Sequence, residues 1–62
     1  MFIIYKESNV TIEFLVGFNP DTGEPYWSTK DARVYKTQSA YDSAFKNASS
    51  HSDIPLCTFI LR

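Results

Sequence analysis

Only one stretch of the chain, Thr37 to Ala48 (TQSAYDSAFKNA), carries apolar residues at helical spacing. Ala40, Tyr41, Ala44, Phe45 and Ala48 gather into one stripe on a 3.6-residue repeat, leaving Asp42, Ser43, Lys46 and Asn47 for water. Thr37 precedes the stripe as the expected N-cap, because its hydroxyl can accept from a free backbone N–H two or three residues on. The helix is expected to fade in the polar run Ala48 to Asp53. A chain with one such helix can shield one side of a sheet. That limit governs how everything else must be arranged.

The remainder reads as strand and turn. Phe2 to Lys6 is apolar on both sides, with Phe2 and Ile4 on one face and Ile3 and Tyr5 on the other. Glu7-Ser8-Asn9 interrupts it, with Asn9 able to take a left-handed turn conformation. Val10 to Phe18 alternates: Val10, Ile12, Phe14, Val16 and Phe18 form the expected core face, and Thr11, Glu13, Leu15 and Gly17 the other. Asn19 to Pro25 is a turn, in which Asp21 can bond its own backbone and Gly23 tolerates positive φ. Tyr26-Trp27-Ser28 makes a short third strand. Asp31-Ala32-Arg33 suggests one helical turn before an extended piece, Val34-Tyr35-Lys36. Ile54 to Leu61 is the last strand, with Leu56, Thr58 and Ile60 on one face and Cys57, Phe59 and Leu61 on the other.

The expected fold is therefore α+β: a small, mostly antiparallel sheet of three to four strands with one amphipathic helix on one face, in the order β-β-β-α-β. Residues 1–62 read as a single domain with no internal repeat. The helical crossover allows the final strand to lie beside the first, with a parallel pairing through a right-handed connection as one arrangement. The two strands that are apolar on both faces, the first and the last, are expected at the centre.

Size sharpens the consequence of having one helix. A 62-residue chain is near the lower limit for folding on core packing alone. Its single cysteine excludes an internal disulfide, and one histidine with one cysteine cannot supply four zinc ligands. The uncovered face would carry some of Ile3, Tyr5, Cys57, Phe59 and Leu61, with Leu15 if the register agrees. That is a larger apolar patch than a small monomer usually exposes. A homodimer joined through this face or through an edge strand is the simplest way to cover it. The net charge of −1, without blocks of either sign, suggests neither a phosphate-tracking surface nor a DNA mimic. The opening MFIIYKES is too short in apolar residues for a signal peptide or membrane span, which predicts a cytoplasmic location. The sequons at Asn9 and Asn47 then read as chance matches.

Few residues suggest chemistry. Asp21-Thr22-Gly23 matches the tripeptide of aspartic proteases, but Pro20, Glu24 and Pro25 around it make it a turn. Asn19, Asp21 and Gly23 alternate as in a calcium loop, yet Thr29 stands where the bidentate glutamate belongs. His51, Asp53 and Cys57 could be drawn as a nucleophile set, but a mid-strand thiol and a linker histidine have no reason to meet. No catalytic residues, metal ligands or cofactors are expected. The richest cluster is aromatic and basic: Tyr26, Trp27 and Tyr35 with Lys30, Arg33 and Lys36, alongside Phe18. Such interleaving suits stacking on single-stranded nucleic acid. Glu24 and Asp31 interrupt it, so a nucleic-acid module is the second reading.

The run from Tyr26 to Thr37, followed by Ala40 and Ala44, resembles a pattern seen in small phage- and prophage-encoded β-β-β-α-β accessory proteins. There a tryptophan near a strand end precedes a one-turn helix with an inward alanine, an aromatic, a threonine cap and an alanine-spaced helix. The resemblance covers the middle third of the chain and transfers no site residues. It implies a viral or mobile-element protein that binds and modulates a bacterial host protein, such as a defence or replication factor, in the host cytoplasm. The expected activity is accordingly non-enzymatic protein–protein contact.

Overall fold

A computed structural model describes residues 1–62. In chain order it contains β1 (Phe2–Glu7), β2 (Ile12–Phe18), β3 (Pro25–Ser28), α1 (Gln38–Ser49) and β4 (Leu56–Ile60). The strands form one antiparallel sheet, ordered β3-β2-β1-β4. With the helix against one face of the sheet, the protein is the small α+β fold that its sequence pattern indicates.

The first hairpin fixes the register. Ser8 N–H donates to the Thr11 carbonyl at 2.9 Å, and the Ser8 hydroxyl accepts from Val10 and Thr11 N–H. Asn9 is not left-handed, since no residue but glycine has positive φ. This closure pairs Glu7 with Ile12, Lys6 with Glu13 and Tyr5 with Phe14. Alternation then puts Leu15 on the same face as Ile4. The core face of β2 is thus the opposite of the one its richer apolar set suggests. Leu15 is fully buried with Ile4 under Ala44 and Ala48 of α1, while Ile12 and Phe14 point away from the helix. Glu13 does lie on the helix side, beside Lys6, whose Nζ rests 4.4 Å from the centre of the Trp27 ring.

Val16 forms a bulge between Leu15, opposite Trp27, and Gly17, opposite Tyr26. The extra residue shifts the alternation, so Phe18 also packs on the core that Leu15 enters. Two-residue periodicity cannot reveal such a shift. The β2–β3 turn is held by Asn19 rather than Asp21: Asn19 Oδ1 accepts from Asp21 N–H at 2.8 Å, and Gly23, at φ 76°, donates to the Asn19 carbonyl at 2.7 Å.

No helical turn forms at Asp31–Arg33. The Ser28 hydroxyl instead accepts from Lys30 and Asp31 N–H, and the chain continues extended. Arg33 N–H donates to the Leu15 carbonyl, and Tyr35 exchanges both backbone hydrogen bonds with Phe2 at 2.8 Å. Residues 33–35 therefore fill the gap where the bulge draws β2 away from the start of β1. The same path decides the direction of β4. The extended segment has already returned the chain to the Phe2 end of β1, so α1 runs back toward Lys6. β4 then starts opposite Lys6 and pairs Phe2 with Ile60, antiparallel. A parallel pairing is excluded, and β4 is an edge strand, with β1 and β2 central.

The alanine spacing of α1 sets how closely it approaches the sheet. Ala44 and Ala48 are buried, whereas Ala40 is exposed and contributes its N–H to the Thr37 cap, 3.2 Å from the hydroxyl. Tyr41 clamps the helix to the far strands: its ring stacks on Phe2 at 4.5 Å, and its hydroxyl shares a 2.6 Å hydrogen bond with Thr58. Replacing Thr37 with alanine is expected to cost about 1 kcal/mol in denaturant unfolding, with the sheet unchanged, because one helix-end N–H loses its acceptor.

Candidate interaction face

Three strands converge on the side of the sheet away from α1. β1 contributes Ile3 and Tyr5, β2 contributes Ile12 and Phe14, and β4 contributes Cys57 opposite Tyr5 and Phe59 opposite Ile3. Leu61, bonded to Met1 one step beyond β4, continues that alternation. The five residues singled out from the sequence, Ile3, Tyr5, Cys57, Phe59 and Leu61, thus share one face. Leu15 is absent from it. Ile12 and Phe14 join it, and their own alternation was the available signal, assigned to the wrong side of the strand.

The face is dished. Tyr5, Ile12, Phe14 and Phe59 line an open depression of about 210 Å³, with the Tyr5 and Phe14 rings tilted at 55° and 6.2 Å apart. All four walls are apolar or aromatic. Such a hollow has the shape and lining to accept a protruding apolar side chain. No family model matches this chain, and no curated protein or solved structure matches it either.

Other candidate residues are dispersed. Asp21 lies in the β2–β3 turn, His51 bonds the Asn47 carbonyl at the end of α1, and Cys57 faces the open side of the sheet. No group of three His, Cys, Asp or Glu side chains converges as a metal site. The aromatic and basic cluster is also divided. Trp27 packs on the core under Lys6, Tyr35 is buried with Arg33 5.5 Å over its ring, and Tyr26 points to the opposite side from Trp27. Lys30, Arg33 and Lys36 are exposed. A stacking platform made jointly of Tyr26, Trp27 and Tyr35 is therefore not assembled. No helix is long and apolar enough to cross a membrane.

Two phenols are shifted upward. Tyr5 is raised above 10.0 first by the charge of the neighbouring Cys57, then by desolvation, a hydrogen bond with Cys57 and the charge of Glu7. Tyr35 is raised by burial, partly offset by Arg33. The folded state therefore holds these protons more tightly than the unfolded chain. The stability contribution is complete below about pH 10 and is lost as pH climbs through the folded values. Alkaline unfolding is expected to steepen above that point, and Tyr35→Phe should flatten the alkaline limb while keeping most of the stability near neutrality.

Proposed function

We propose that this chain works by non-catalytic contact with another protein, through the helix-free face of its sheet. The apolar depression walled by Tyr5, Ile12, Phe14 and Phe59 carries this reading. β2 presents Ile12 and Phe14 to that face, outside the core, an arrangement that serves binding better than it serves folding. Ile3, Cys57 and Leu61 extend the contact around the depression. The finer reading, an accessory protein of a phage or mobile element that modulates a bacterial host protein, rests on the sequence resemblance over Tyr26–Thr37, in which the one-turn helix does not form and Ala32 is exposed rather than inward.

Phe14→Lys tests this reading, because it places a charge in the depression without touching Ile4 or Leu15. Immobilised wild-type protein and Ser43→Lys, which adds the same charge to an exposed position on α1 across the sheet, should retain the same specific protein from bacterial lysate. Phe14→Lys should retain about 30-fold less, the loss expected of a central contact worth about 2 kcal/mol. Equal retention by all three forms would overturn the reading.

A further inference from the structure

The two edges of the sheet differ. β3 is four residues long and begins at Pro25, features that discourage pairing with another chain. β4, Leu-Cys-Thr-Phe-Ile, has no charge, proline or glycine, and leaves Phe59 and Ile60 57% and 64% exposed. Its hydrogen-bonding phase follows from its start and end. Met1 and Leu61 exchange both backbone bonds, so Phe59 and Cys57 are bonded to β1 and the alternate residues are not. Phe2 confirms this phase, since both of its backbone groups go to Tyr35 and none to Ile60. The N–H and C=O groups of Leu56, Thr58 and Ile60 consequently point outward from the sheet.

We infer that β4 pairs antiparallel with β4 of a second copy, about a two-fold axis through Thr58. This register sets Thr58 against the partner's Thr58, and Leu56 and Ile60 against the partner's Ile60 and Leu56. All outward groups on both chains are then satisfied in six hydrogen bonds. Moving the axis to Cys57 or Phe59 leaves one outward residue on each chain unpaired and keeps only four. The Thr58 register also covers Ile60 with the partner's Leu56 and places the partner's Cys57 beside Phe59, with no like charges brought together. The product is one eight-stranded sheet, with both helices on one side and both apolar depressions on the other. The contact is smaller than the roughly 800 Å² per partner of a standard interface, so association is concentration-dependent.

Light scattering of the whole chain across the micromolar range tests the pairing, with a dimer expected by about 100 µM. Ile60→Pro removes an outward N–H but no bond to β1, and should weaken the dimer at least tenfold while the chain still melts cooperatively. Phe59→Cys tests the register. The introduced thiol lies across a non-hydrogen-bonded pair from the partner's Cys57, with Cα atoms about 4.5 Å apart, inside the disulfide range. Mild oxidation should therefore yield a covalent dimer linking positions 57 and 59. A wild-type chain that stays monomeric at that concentration overturns the inference, as does a dimer indifferent to Ile60→Pro. Oxidation of the wild type that joins Cys57 to the partner's Cys57 equally contradicts the Thr58 axis. Phe14→Lys leaves this dimer intact, so failure of the face reading and failure of the edge reading are told apart.

Discussion

Leu15→Ala should nearly unfold the protein. The side chain is completely buried with Ile4 beneath the two buried alanines of α1, and truncating a buried leucine typically costs 2–5 kcal/mol through lost transfer energy and an unfilled cavity. A domain of this length holds only about 3–9 kcal/mol in total. The loss should lower the melting temperature by on the order of 10–30 °C. The neighbouring substitution Phe14→Ala, on the open face, should cost about half as much or less. A denaturant titration of the two variants makes the comparison. Similar losses, or a larger loss for Phe14, would show that the helix covers the other face of β2.

Tyr35→Ala should be about as damaging for a different reason. Tyr35 lies outside the four strands, yet it is buried, because it closes the opening that the Val16 bulge leaves between β1 and β2. Removing a buried aromatic ring costs about 3–5 kcal/mol. The backbone exchange with Phe2 remains available to alanine, so the deficit should report on ring packing alone. Tyr35→Phe should keep the ring and most of the stability. Thermal melts at neutral pH separate the two, and equal behaviour would mean that the ring is not enclosed. The same burial limits the nucleic-acid reading: any loss of binding in a Tyr35→Ala protein has to be judged against its loss of fold.

Local cues in the sequence carry the element order, the Thr37 cap, the Gly23 turn and the adjacency of β1 and β4. Each depends on a few consecutive residues with a definite physical preference, such as a hydroxyl before an apolar stripe or a glycine at positive φ. The side of β2 that meets the helix does not depend on such a cue. Alternation separates Ile12 and Phe14 from Glu13 and Leu15, but it is blind to which set the helix covers, and apolar count favours the wrong one. Ser8, through the hairpin it closes, makes that choice. The direction of β4 was equally hidden, because it depends on whether residues 29–36 fold as a turn of helix or cross the sheet extended. The candidate face was half legible: Ile3, Tyr5, Cys57, Phe59 and Leu61 follow from strands apolar on both sides. Ile12 and Phe14 needed the register.

Thiol labelling in the native state tests that register most directly, because the open face exists only if β2 turns Phe14 outward. In a Cys57→Ser background, Phe14→Cys and Leu15→Cys chains would each be exposed to a thiol reagent under folding conditions. This fold predicts prompt modification at position 14, and modification at position 15 only at the rate of global unfolding. Prompt reaction at position 15 with protection at position 14 would contradict it, and the proposed contact face would have to move to the other side of the sheet.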